Sequence, residues 1–133
     1  MHYLLDRCTE GEHLMGAQLT SAVWSRWPKL SNPAKLVLLR MAQTVKDKND
    51  PPIYWGGWEH LAFALGETEV QDVPDADDLS EEDRKVLQAP YLRERRHIRA
   101  KVERAVSELA DAGAIRLVKK PRPGRNAEYV LEL

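Results

Sequence analysis

The apolar positions of the chain come in short periodic runs separated by proline and glycine. Leu19, Val23 and Trp27 recur every fourth residue and predict a helix from about Ala17 to Trp27, closed by Pro28. Asn32 can cap a second helix whose first residue is Pro33, a position where a missing N–H costs nothing. Ala34, Leu38, Met41, Ala42 and Val45 follow at helical spacing, and KDKNDPP stops that helix near Lys46. Ile53, Tyr54 and Trp55 form a β-prone run too short to persist alone, so it is expected to pair with another strand. Trp58, Leu61, Ala62 and Leu65 mark a short helix that Gly66 can close.

The second half of the pattern is longer. Residues 67–79 carry few apolar side chains and read as an exposed loop. Ser80-Glu81-Glu82-Asp83 is like a capping box and predicts a helix to about Gln88. Pro90 then opens the longest helix, which runs to Ala112 and stops at Gly113. Projected at about 100° per residue, Tyr91, Ile98, Val102, Ala105, Val106 and Leu109 share one side. Arg93, Arg96, Ala100, Glu103 and Ser107 lie opposite, flanked by His97 and Arg104, with Arg99 at one edge. Two apolar runs, Ala114–Val118 and Ala127–Leu133, flank a turn at 119–126 and predict a hairpin. The order implies a mainly α fold with a small antiparallel sheet.

Charge changes this picture more than composition does. The 133 residues carry a formal net charge of -1, but residues 67–83 hold nine acidic side chains and no basic one. Residues 84–125 hold thirteen Lys and Arg against four Asp and Glu. The length suits one core, with residues 1–30 as an N-terminal arm and helix and residues 31–133 as the main domain, interrupted by an acidic insert at 67–83. No run is long and apolar enough for a membrane span, and the lone Cys8 excludes an intrachain disulfide. A cytoplasmic location is expected.

SNPAKLVLLRMA (31–42), YWGGWEHLAFALG (54–66) and RRHIRAKVERAVSELADAGAIRLVKK with GRNAEYVLEL (95–133) together resemble the winged helix-turn-helix proteins of bacteria and their phages. The likeness extends to small actinobacterial phage and prophage proteins and to the winged-helix domains of plasmid and phage replication initiators. It implies that Trp58–Leu65 is the supporting helix, that the recognition helix begins near Arg93, and that residues 119–126 are the wing. One departure stands out, because about 25 residues separate the two helices where the family has a few.

The chemistry that follows is double-stranded DNA binding. Arg93, Arg95, Arg96 and Arg99, with His97 and Arg104, can meet phosphates or guanine edges. Acidic partners at i±4 are scarce over 93–101, unlike an ordinary solvated face. Lys119, Lys120, Arg122, Arg125 and Asn126 can hold the neighbouring backbone or enter a minor groove. The competing reading is a protein-interaction module that binds a host factor through the acidic insert. That insert has three readings: a solvated loop, a docking site, or a mask lying across the basic helix. A homodimer reading two half-sites is a further expectation, with residues 1–30 able to supply its interface.

Other candidates are weaker. The two W-x-x-W pairs, Trp24/Trp27 and Trp55/Trp58, read as core or helix-covering residues, with a stacking platform for single-stranded nucleic acid as the alternative. His2, Cys8 and His13 match no zinc spacing, so no metal and no cofactor are expected. The chain has no phosphate-binding glycine loop, no H-E-x-x-H and no G-x-S-x-G, and no enzyme is expected.

Overall fold

The computed structural model describes residues 17–67 and 70–133. Among them the order is α1 (Ala17–Arg26), α2 (Asn32–Thr44), β1 (Ile53–Tyr54), α3 (Trp58–Ala62, prolonged by a 3₁₀ turn over Phe63–Leu65), α4 (Glu81–Ala112), β2 (Ile115–Lys119) and β3 (Glu128–Leu131). The chain is mainly helical, with one three-stranded antiparallel sheet in the order β1-β3-β2. Residues 1–16, read as an arm, lie outside the described residues.

Local signals set most of these boundaries. The Ser80 hydroxyl accepts from the Asp83 amide at 3.2 Å and starts α4. Gly66 and Gly113 adopt left-handed conformations, φ 88° and 85°, and close α3 and α4. α2 is capped one residue earlier than expected. Ser31, not Asn32, accepts from the Ala34 amide, because Glu108 of α4 fixes Ser31 through its amide (2.9 Å) and hydroxyl (2.6 Å). The N-terminus of α1 is capped from a distance, since the Asp47 carboxylate accepts from the amides of Gln18 and Leu19 at 3.1 Å.

One core joins these elements. Val23 of α1, Val37, Leu38 and Met41 of α2, Leu61 of α3, Val102 and Leu109 of α4, and Leu131 of β3 are each no more than 2% exposed. Each such side chain stabilises the fold by about 1.5–3 kcal/mol on burial. The apolar side expected for α4 is the side that packs, with Ile98, Val102, Ala105 and Leu109 buried. β1 survives at two residues because it lies against the central strand, Ile53 opposite Val130 and Tyr54 opposite Tyr129. Trp55 has already left the sheet.

Two expectations need correction. The helices expected on either side of Pro90 are one continuous helix of 32 residues with Pro90 inside it. Proline removes one i→i−4 bond, a cost of about 3 kcal/mol in a helix interior. Contacts from residues 71–76 hold the helix on both sides of that break. The Arg84 guanidinium donates to the Ala76 carbonyl (3.3 Å), the Gln88 amide to the Pro74 carbonyl (2.9 Å), and the Arg95 guanidinium to the Gln71 carbonyl (3.1 Å). The insert is therefore not the wholly exposed loop expected over 67–79, since Ala76 is buried and Val70 packs on the core.

A candidate nucleic-acid interface

The basic residues of α4 divide into two groups. Arg93, Arg96, His97 and Arg104 are exposed and have no ion-pair partner among the described residues. They lie on the side of the helix away from its buried stripe. Arg95 behaves differently. Its side chain is only 22% exposed, it meets Glu59 at 3.1 Å and Asp72 at 3.9 Å, and its guanidinium lies 5.2 Å from the Trp58 ring centre. It fastens the insert and α3 to α4. Arg99 sits between these groups, half-exposed, paired with Glu103 at 3.0 Å and 5.8 Å from Trp58.

The hairpin turn is built as a rigid cationic tip. Arg122 and Arg125 exchange main-chain hydrogen bonds of 2.9 and 2.8 Å around Pro123-Gly124. Gly124 has φ 77°, a conformation that suits glycine behind proline in a tight turn. The Arg125 guanidinium donates to the Lys120 carbonyl at 3.1 Å, which fixes its direction. Lys120 and Arg122 have no acidic partner among the described residues, while Lys119 lies 3.9 Å from Glu128. Asn126 has a structural role as well, because its side-chain amide donates to the Trp55 carbonyl at 3.2 Å.

Helix and hairpin meet. A cleft of about 170 Å³ is lined by Arg99, Glu103 and Val106 of α4 and by Pro121, Asn126 and Tyr129 of the hairpin, with Trp58 at its side. Burial raises the Tyr129 phenol, and the neighbouring Glu103 carboxylate raises it further, so it stays neutral at the base of the cleft. Arg99 is the basic residue lining that cleft, the turn enters it through Pro121 and Asn126, and Arg104 lines a separate pocket with Ser31, Lys101 and Glu108. Glu103 is the one carboxylate of α4 lining that cleft.

The insert lies beside α4 but not over its exposed arginines. Its contacts reach Arg84, Gln88, Arg95 and Lys101; three acceptors are main-chain carbonyls, and the carboxylates of Asp72 and Glu67 meet Arg95 at 3.9 Å and Lys101 at 2.9 Å. Several of its acidic side chains face outward: that of Asp72 is 99% exposed, and Asp75, Asp77 and Asp78 are exposed too, whereas that of Glu67 is 29% exposed against Lys101. Ion pairs and main-chain acceptors therefore share the fastening.

The tryptophans also divide. Trp27 packs on the core and its indole N–H donates to the Glu132 carbonyl at 3.0 Å. Trp58 is partly buried between α3 and α4. Trp24 and Trp55, expected to be core or covering residues, are instead 56% and 68% exposed. The Lys35 ammonium lies over Trp24 at 5.5 Å. No sequence signal marked Glu59 and Asp72 as the residues that hold Arg95, because both reach it from distant parts of the chain.

Among the described residues no cluster of His, Cys, Asp and Glu is arranged to hold a metal ion, and no helix is long and apolar enough to cross a membrane. His2, Cys8 and His13 lie outside the described residues. Comparison with protein families, with curated proteins and with solved structures finds no match to this chain.

Proposed function

We propose that the protein is a winged helix-turn-helix protein that binds double-stranded DNA. In this reading α3 supports, the exposed side of α4 around Arg93–Arg104 enters a major groove, and the 119–126 turn is the wing on the adjoining backbone. The observation that carries it is the hairpin packed against α4, its turn reaching the Arg99 side of that helix through Pro121 and Asn126, in a sheet ordered β1-β3-β2. Cations without anionic partners are costly to crowd together and become favourable once phosphates replace water and released counterions. A role in transcription control or replication initiation, in a cytoplasmic phage, prophage or plasmid setting, goes with this reading and with the resemblance of the sequence. Arg95 leaves the set of DNA contacts, since its donors are already engaged.

Selection of bound fragments from a random duplex pool tests the reading directly. A recovered motif establishes sequence preference, and a two-fold motif supports a homodimer. Replacing Lys119, Lys120, Arg122 and Arg125 with Ala should weaken all sequences alike and lower the slope of log K against log salt by about 0.9 per lost phosphate contact. Arg96→Ala should instead relax preference at particular base pairs, by about 1–3 kcal/mol for a bidentate guanine contact. No salt-dependent binding of any duplex would refute the assignment.

A second reading has its own support in the outward-facing carboxylates of the insert. In it, Asp72, Asp75, Asp77 and Asp78 dock a basic protein partner. Changing these four to Asn would abolish that contact and leave duplex binding intact or slightly tighter.

A further inference from the structure

Among the described residues Trp55 is the most exposed of the large apolar side chains outside α4, and its backbone is held on both sides. It follows β1 directly, where Tyr54 pairs with Tyr129. Its own carbonyl accepts from the Asn126 side chain at 3.2 Å, and the Tyr54 hydroxyl donates to the Gly57 carbonyl at 2.8 Å. The two glycines that follow leave no room for side chains. A Cβ on Gly56 would meet the Tyr54 hydroxyl oxygen at 2.7 Å, and one on Gly57, at φ 86°, would meet the Asn126 amide at 3.0 Å. The backbone under the indole is thus pinned to the sheet on one side and to the basic turn on the other.

The other three tryptophans have partners. Trp27 donates its N–H to Glu132, Trp24 lies under Lys35, and Trp58 is flanked by two guanidinium groups. Trp55 has neither a ring contact, a cation contact nor a hydrogen bond to its indole among the described residues. A large aromatic surface left in water on a fixed backbone suits a binding anchor, since tryptophan is enriched among the residues that dominate interfaces. Asn126, which holds the Trp55 main-chain carbonyl, follows Arg125 in the cationic turn, so the ligand that reaches the indole also meets positive charge. That favours a nucleic acid over an apolar protein surface.

A continuous duplex offers no π-face along its flank, because its bases are stacked on each other. We propose that Trp55 stacks on an unpaired or unstacked base at the edge of bound DNA, so that the protein prefers a duplex carrying a short single-stranded segment. This inference rests on the DNA-binding reading above and adds a preference that reading does not require. Stacking uses the aromatic face and no charge, so it acts in addition to the phosphate contacts of the turn.

The test compares three fluorescently labelled probes by anisotropy: a continuous duplex, the same duplex with a short unpaired tail or bulge, and the single strand alone. The native protein should bind the tailed or bulged duplex roughly tenfold more tightly than the continuous one, within the range for one base on one aromatic side chain. Trp55→Ala should remove that difference while leaving affinity for the continuous duplex and the salt slope unchanged, and Trp55→Phe should restore most of it. The melting temperature of Trp55→Ala should stay within about 2 °C of the native value, as for an exposed side chain. Equal binding of continuous and tailed duplexes by the native protein overturns the inference and leaves the DNA-binding reading standing. A preference that survives Trp55→Ala also overturns it. Absence of binding to every probe overturns both.

Discussion

The two halves of α4 are held by different means. Residues 98–112 are held by burial: Ile98, Val102, Ala105 and Leu109 pack against α2, α3 and the sheet. Residues 81–97, about 25 Å of helix, bury no side chain completely. They rest on three side-chain donors reaching the carbonyls of 71–76, together with the Arg95 ion pairs. The exposed arginines 93 and 96 stand on this tethered half, just before the buried stripe begins. The part proposed to read DNA thus spans both halves: Arg93 and Arg96 stand where orientation depends on the insert, whereas Arg99 and Arg104 stand where the core fixes the helix. A helix end fixed by a few polar contacts can adjust to a groove, whereas one fixed by the core cannot.

The largest expected effect breaks the comparison at its strong end. Leu109→Ala, at a side chain with no exposure, should destabilise the protein by about 2–5 kcal/mol in chemical denaturation. Val86→Ala, at 77% exposure in the tethered half, should change stability by less than about 0.5 kcal/mol. Similar losses for the two would mean that the halves are equally embedded.

Pro90 offers the next effect. Pro90→Ala restores a main-chain donor for the Val86 carbonyl and removes a ring from the helix interior, a change of up to about 3 kcal/mol in local helix stability. In amide hydrogen exchange the gain should appear over residues 84–94 and not over 102–112. Slowing of exchange throughout α4 would show that the halves open together.

Much of the fold was legible because its signals are local. Helical spacing placed α1, α2 and α3 to within a residue or two, and Ser80, Gly66 and Gly113 marked the ends they occupy. The continuity of α4 through Pro90 was not legible. It depends on main-chain carbonyls of 71–76, and every residue presents a carbonyl, so no side-chain pattern announces it. The candidate site was legible as a list of cations but not as an arrangement. Arg95 looks like its neighbours in sequence, yet Glu59 and Asp72, 36 and 23 positions away, turn it into a fastening. Ser31 displaced Asn32 as the cap for a similar reason, because Glu108 is 77 positions away.

Arg95→Ala tests that fastening at a smaller scale. It removes the donor to Gln71, the pairs with Glu59 and Asp72, and the cover on Trp58. A local loss of about 1.5–3 kcal/mol is expected, the range of a hydrogen bond to a charged group. It should be seen as faster amide exchange over 71–76 and 88–97 with little change in Leu109's surroundings. If Arg95 instead contacted DNA from its present position, the variant would lose duplex affinity with no change in exchange.

The smallest effect sharpens the comparison through pH. Among the described residues, the groups beside the core-held half that are perturbed and titrate on the acid side of neutrality are His60 and Glu108, whereas the tether's carbonyl acceptors do not titrate. Burial holds His60 below its ordinary value of 6.5, and the nearby Arg40 guanidinium lowers it further. Its buried Nε2 has no partner among the described residues, so a proton there gains nothing in compensation. A histidine depressed in the folded state contributes stability above its unfolded value. That contribution is lost as pH falls from about 6.5 through the lower folded value, because the unfolded chain takes up the proton first. Glu108 follows at lower pH. Its hydrogen bonds from the Ser31 hydroxyl and amide depress its carboxyl below 4.5, and the contact tying α2 to α4 is lost as pH falls through that depressed value. Denaturation midpoints should therefore decline from pH 7 to pH 5, and His60→Phe, which keeps a ring beside Tyr54 but cannot titrate, should flatten that decline. Exchange over 84–94 should show no matching step between pH 7 and pH 5 once corrected for the intrinsic pH dependence of exchange. If it does, protonation at α3 reaches the tethered half, and the two halves of α4 are one cooperative unit.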